Sequence, residues 1–377
     1  MIEKLVRKNV LDFQPYLPGK PIEEVKRELG LARVDKLASN ENPLGPSPRA
    51  VSAMKKVLNR VNLYPDGSGF YLKKVLARRL KVKPENIILG SGTDEIIEII
   101  GKTFLDPIDE IIVSKHAFIR YEMAGELMGC QVKKVPMKNF THDLKAMKKA
   151  ITEKTKIVFI ANPNNPTGTY VTEEKVEKFM NDLPEEIMVV FDEAYREYVT
   201  RKDYPKTLSY VKQGRVVIVL RTFSKIYGLA GLRIGYGIGK SELIGFMERI
   251  RPPFNTNSLA QIAALASLSD ETHLKRSRKL VSNERKYLEE NLEKMNIKFV
   301  PSVANHILLK VGNGQNVFEK LLKKGIIVRA MIEYDLPEFI RVTIGLPQQN
   351  RRFINALREV TAVVRKSPKS TNIRQKS

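Results

Sequence analysis

Residues 216–239 read VVIVLRTFSKIYGLAGLRIGYGIG. Five apolar residues run into Arg221, and Thr222, Ser224 and Lys225 come at once after it; Arg233 and a scatter of glycines come next. A short, wholly apolar run rich in β-branched residues suits a strand buried on both faces. The residues just beyond such a strand matter, because ligands of parallel sheets bind past the carboxyl ends of the strands. The same grammar recurs upstream in IILGSG (87–92), EIIVS (110–114), IVFIAN (157–162) and IMVVFDEA (187–194). Helix-period segments lie between them, such as YLKKVLARRL (71–80) and TDEIIEIIGKTFL (93–105). Apolar strands alternating with helices define an α/β fold, here a large domain with a mostly parallel sheet of seven-stranded type between helices. After about residue 265 the pattern changes to a long charged helix, short strands such as IIVRA (326–330) and FIRVTIG (339–345), and a closing helix, which reads as a smaller α+β domain. The boundaries expected are an N-terminal arm over 1–35, a linker or part of the small domain over 36–60, the large domain over 61–265, the small domain over 266–364 and a basic disordered tail over 365–377.

The 377 residues are 42% hydrophobic, enough for a sizeable core, yet no window approaches the roughly 18 apolar residues of a membrane span. Cys130 is the one cysteine, so no disulfide forms within the chain and a reducing cytoplasm is the simplest setting. His116, His142, His273 and His306 are too scattered for metal-ligand spacing, and no metal is expected. The formal charge of +23 admits nucleic acid, anionic membranes or anionic small molecules as partners. Most of the lysines alternate with glutamates, as in KVEKFMNDLPEE (175–186), which is the pattern of a solvated surface; the remainder of the charge suits capture of phosphorylated substrates.

Each strand end carries polar groups, and each has an ordinary reading beside a functional one. Gly90-Ser91-Gly92-Thr93-Asp94 opens a helix whose first-turn N–H groups can hold an anion; Ser91 and Asp94 equally fit a capping box. Asn165, in NPNNPTG (162–168), can donate to a ligand oxygen, or the segment is a plain turn. Asp192 comes after five apolar residues, and a carboxylate buried there needs a positive partner unless it is a helix cap; Tyr195 can face the same space. Lys225 at a strand end is a usable amine nucleophile if partly desolvated, or a surface lysine on a long stem. Thr222, Ser224 and Arg233 suit a phosphate. Together the groups ask for one ligand: a phosphorylated aromatic with a ring nitrogen for Asp192, a phenolic oxygen for Asn165 and Tyr195, and an aldehyde for Lys225. Pyridoxal 5'-phosphate has all of these parts.

The motifs YLPGKP (16–21), KLASNENPLGPSP (36–48), YPDGSG (64–69), GSGTDE (90–95), ANPNNPTG (161–168), DEAY (192–195), RTFSKIYGLAGLRIGY (221–236) and IRVTIG (340–345) occur in this order. In them the sequence resembles the fold-type-I, aspartate-aminotransferase-like enzymes that use pyridoxal phosphate, and among these the histidinol-phosphate aminotransferases, from about Tyr16 to Val360. The resemblance implies roles. Lys225 matches the lysine that bonds the cofactor and shuttles the substrate proton, Asp192 the partner of the ring nitrogen, and Asn165 with Tyr195 the donors to the ring oxygen. Gly92, Thr93, Asp94, Ser224 and Arg233, helped by Thr222, match the phosphate cup. Phe118 takes the ring-stacking position, where the family often has tyrosine, with Tyr121 as the alternative; His116 receives no role. Tyr64 matches a tyrosine that reaches the cofactor phosphate of a neighbouring subunit, which implies a homodimer. Arg341 matches the binder of the substrate carboxylate, Arg329 an arginine associated with the substrate phosphate, and Tyr16 and Asn40 belong to substrate-side segments.

The activity implied is ping-pong transamination between glutamate and the keto partner of histidinol phosphate, a step of histidine biosynthesis. Three rivals share the cofactor motifs or the scaffold: an aromatic-amino-acid aminotransferase, a phosphothreonine-type decarboxylase and a non-catalytic binding protein. The last would bring a DNA-binding segment, for which there is little room before Tyr16, and no groove-reading motif is present, so neither a nucleic-acid nor a membrane partner is expected.

Overall fold

The computed structural model describes residues 2–11, 13–16 and 19–366. Most of the basic tail expected over 365–377 lies outside the described residues; residues 365 and 366 continue the last helix, Pro347–Lys366. The strands are β1 (Asp35–Lys36), β2 (Ile87–Gly90), β3 (Glu110–Ser114), β4 (Gln131–Val135), β5 (Thr155–Ala161), β6 (Met188–Asp192), β7 (Val217–Thr222), β8 (Gly235–Gly239), β9 (Phe299–Val300), β10 (His306–Lys310), β11 (Ile326–Ile327), β12 (Arg329–Ala330) and β13 (Phe339–Thr343).

Seven of them form one sheet in the order β2-β8-β7-β6-β5-β3-β4. All neighbours are parallel except β8, which runs against both β2 and β7. The mostly parallel sheet read from the sequence is therefore present. The middles of its central strands are apolar because both faces are covered. Val158, Ile160, Val189, Phe191, Val217 and Val219 enter one core, while the alternate residues Ile157, Phe159, Val190, Ile218 and Leu220 enter the other. Successive side chains of a strand point to opposite faces, so a strand between two helical layers has no polar side.

A second, antiparallel sheet has the order β12-β13-β10-β9, and β1 pairs with β11 in a separate parallel ladder. IIVRA, expected as one strand, is split between these two sheets: Ile326 and Ile327 pair with residues 35 and 36, whereas Arg329 and Ala330 pair with β13. Among the described residues no helix is long and apolar enough to cross a membrane.

Candidate active site

The sheet register brings the polar strand ends together. Ala161 at the end of β5 lies opposite Asp192 at the end of β6, and Asp192 opposite Leu220, two residues before the end of β7. Asn165, Asp192 and Lys225 therefore converge from three neighbouring strands. The helix Gly92–Phe104 presents its first turn beside them, and β12, β13 and residues 38–40 close the other side. The resulting pocket, about 950 Å³ of space open to solvent, is lined by Tyr16, Asn40, Thr93, Asp94, Phe118, Asn165, Asp192, Tyr195, Thr222, Ser224, Lys225, Arg233, Arg329 and Arg341. Gly92 stands just behind the wall with φ +79°, where an added Cβ would fall 2.5 Å from Arg233 Nη2, so only glycine lets the guanidinium pack there. Tyr64 is not brought to this pocket; it is 82% exposed and stacks on Phe254 at 4.7 Å.

Asp192 is buried, and its partners are uncharged. Tyr121 Oη donates to Oδ2 at 2.7 Å and the Ala194 N–H donates to Oδ1 at 3.0 Å. The sequence pattern called for a cationic partner or a helix cap; the structure gives a hydroxyl and a tight turn. Burial raises its carboxyl to about 6, against the lowering effect of the Tyr121 bond. Lys225 lies near enough to lower it a little further, yet no cation is hydrogen-bonded to it, and a carboxylate in such a dry site stabilises a ligand N–H⁺.

Tyr195 and Asn165 are oriented by neighbours on the opposite wall. Asn40 Nδ2 donates to Tyr195 Oη at 2.8 Å, so the phenol keeps its own proton to give to a ligand. Asn40 is held in turn by Thr343, whose Oγ1 accepts from its backbone N–H at 2.8 Å. Arg341 donates to Asn165 Oδ1 and to the Ala38 carbonyl, which leaves the Asn165 amide nitrogen as the group it can offer. The NPNNPTG segment is no exposed turn: Asn162, Asn164 and Asn165 are all buried. Lys225 Nζ donates to the Ser39 carbonyl at 3.2 Å and lies 5.6 Å from the Tyr195 ring centroid.

At the far end Arg233 donates to Ser224 Oγ at 3.3 Å and pairs with Asp94 at 3.2 Å, while Thr222 Oγ1 accepts the Ser224 N–H at 3.0 Å. The expected capping box is not formed. Ser91 makes no side-chain cap; the Glu95 carboxylate instead accepts the Ser91 N–H at 2.6 Å. The first-turn amides of this helix, which have no acceptor inside the helix, point into the same end.

Phe118 lines the pocket edge-on to Tyr121, at 5.7 Å between centroids. Tyr121 stacks on Phe159 at 4.9 Å and spends its hydroxyl on Asp192, so Phe118 presents the aromatic face and Tyr121 is a support. Sequence reasoning missed that support, and also Tyr334 and the Ser39 carbonyl on the opposite wall. It missed His306 as well, which is wholly buried and edge-on to Tyr195 at 5.0 Å. Burial and the neighbouring cations Arg341 and Lys225 keep that imidazole neutral. The one available signal was HAFIRY (116–121), where a second aromatic stands three residues after Phe118. Arg329, 5.6 Å over the Tyr16 ring, completes the pocket's outer end.

A sheet whose strand ends bring together a lysine, a buried carboxylate and an anion cup is the arrangement of an enzyme built around a ring-and-phosphate cofactor. The family model for aminotransferase class I and II matches residues 33–357, and the chain belongs to that family. It is 51% identical to a histidinol-phosphate aminotransferase of Moorella thermoacetica, with 94% of this chain and 93% of that one covered. It is 46% identical to one of Caldicellulosiruptor saccharolyticus, over 94% and 100%. Among solved structures it superposes on a histidinol-phosphate aminotransferase of Sinorhizobium meliloti in complex with pyridoxal-5'-phosphate, with a TM-score of 0.87, 27% identity and 95% and 98% coverage.

Proposed function

We propose that this chain is a histidinol-phosphate transaminase that moves an amino group between glutamate and the keto partner of histidinol phosphate, as a step of histidine biosynthesis. The observation that carries the reading is the pairing, at one end of a pocket with Lys225 and Asp192, of two arginines, Arg329 and Arg341, that suit a carboxylate in one half-reaction and a phosphate in the other. The similarity to relatives bearing that name supports it.

Pyridoxal 5'-phosphate fits the donor set, since Asp192 is a buried carboxylate in need of a cation. When bound, it supplies an aldehyde carbon for the amino group and a protonated ring that accepts electrons from the α-carbon. The chain supplies the rest. Asp192 would hold the proton on the ring nitrogen, Tyr195 and Asn165 would donate to the ring oxygen, and Phe118 would face the ring. The backbone N–H groups of Gly92, Thr93 and Asp94, with Thr222, Ser224 and Arg233, would hold the phosphate. Lys225 Nζ takes the proton from the substrate α-carbon. Arg341 anchors the carboxylate and Arg329 takes the phosphate, with Tyr16 and Asn40 framing the substrate side. A homodimer in which Tyr64 serves the partner's site, in a cytoplasmic setting, completes the reading.

The test compares rates for histidinol phosphate, phenylalanine and tyrosine, each with 2-oxoglutarate. Histidinol phosphate is expected to be the best donor, and equal or better rates with phenylalanine would sink the substrate assignment. The purified enzyme should be yellow, and Lys225→Ala should abolish both the band and the turnover.

A further inference from the structure

Arg329 and Arg341 lie directly opposite one another in the antiparallel pair β12–β13, so both guanidinium groups stand on one face of the sheet. Like charges in that relation repel, and the two arginines are treated differently. Arg341 is buried against neutral acceptors, Asn165 Oδ1 and the Ala38 carbonyl. Arg329 is bound to a carboxylate: its Nη2 lies 2.5 Å from Glu333 Oε2, four residues further on around the turn Ile332–Tyr334. Glu333 sits at the rim, where it also lines a small cavity with Lys115, Glu122, Lys134 and Asp335.

Two arginines and Glu333 leave a net charge of one positive at this end of the pocket. A carboxylate monoanion on Arg341 neutralises it with Glu333 still in place. A phosphate dianion spanning both arginines reaches neutrality only if Glu333 withdraws. We propose that Glu333 is an exchangeable counter-ion of Arg329, seated while a monoanionic carboxylate is bound and displaced toward Lys115 at the rim by a phosphate dianion. It is thus a specificity-determining residue, and this inference rests on the transamination reading above. Lys134 is already paired with Glu122 at 2.5 Å, so the receiver is Lys115, whose 3.6 Å contact with the exposed Asp335 is long and solvated.

The experiment uses the cofactor-loaded enzyme, Glu333→Gln and Glu333→Asp. Two quantities are measured: the Ki of inorganic phosphate and the Ki of acetate, a monocarboxylate, each against glutamate in the first half-reaction followed by absorbance. Removing a competing carboxylate from a half-buried pair should lower the phosphate Ki about three- to tenfold in Glu333→Gln. The acetate Ki should move less than about twofold, and Glu333→Asp should return the phosphate Ki toward the wild-type value. An unchanged phosphate Ki, or equal shifts for phosphate and acetate, would overturn the proposal. Neither measurement needs histidinol phosphate. A wild type that fails to turn that substrate over would count against the substrate assignment alone.

Discussion

At the scale of single residues, Asp192 carries a cost that its role explains. Its carboxyl is raised from 3.8 to about 6 by burial. A carboxyl raised on folding favours the native state below its unfolded value, and that contribution is lost as pH climbs through the raised value. The cofactor-free protein therefore bears the penalty at about pH 8 and is free of it near about pH 4. Asp192→Asn keeps an acceptor for Tyr121 and removes the charge. In thermal melts of the cofactor-free protein at about pH 8 it should be more stable than wild type by about 1–3 kcal/mol. That gain should vanish near about pH 4, while transamination falls by orders of magnitude. No gain at the higher pH would mean that the buried carboxylate is better solvated than its surroundings imply.

Among the elements, β8 was hidden where its neighbours were plain. Val217 to Leu220 and Ile157 to Ile160 announce themselves because two helical layers demand apolar groups on both faces. GYGIG (235–239) has no such run. Gly235 is there because the helix Gly92–Phe104 lies against it: a Cβ on Gly235 would stand 2.9 Å from the Thr93 backbone nitrogen. Gly235→Ala should thus push the anion-binding turn away. The expected result is about tenfold weaker cofactor binding in an absorbance titration and a lower melting temperature, since overpacking costs about 1–3 kcal/mol. Unaltered affinity would show that the turn is not fixed by β8. β4 (QVKKV) escaped for the opposite reason, since an edge strand is half solvated and reads as polar. The site was more legible than the fold's margins: Lys225, Asp192 and Asn165 each end an apolar strand, a pattern visible without coordinates. Ser39, Tyr334 and the bond from Tyr121 to Asp192 were not, because nothing local marks a contact that is made by packing from another part of the chain.

On the scale of the whole molecule, the pocket lacks Tyr64, which stands exposed with Leu58, Val61, Leu63, Phe70, Tyr71 and Phe254. Exposed apolar residues in such number favour association. Light scattering is expected to give twice the mass of one chain. Lys225→Ala and Tyr64→Ala should each be impaired alone and regain activity when mixed under conditions that exchange subunits, since one site of the hybrid is then whole. A monomer, or a mixture no better than its parts, would refute the shared site. The segment from Leu37 to Asn42 binds this molecule together in another sense. Leu37 N–H donates to Ile327 O, Leu37 O accepts from Thr343 N–H, and Asn305 Nδ2 donates to Asn40 O, while Asn40 and Asn42 reach Tyr195 and Ile226 on the far wall. The ribosome makes this segment among the first and its partners at 305, 327 and 343 among the last. Lys225 and Asp192 emerge midway through synthesis, with one wall of their chamber still unmade. A nascent chain can fold the large sheet early, yet it holds no finished chamber until translation has passed Thr343, so the substrate end of the pocket is completed only at the end of synthesis.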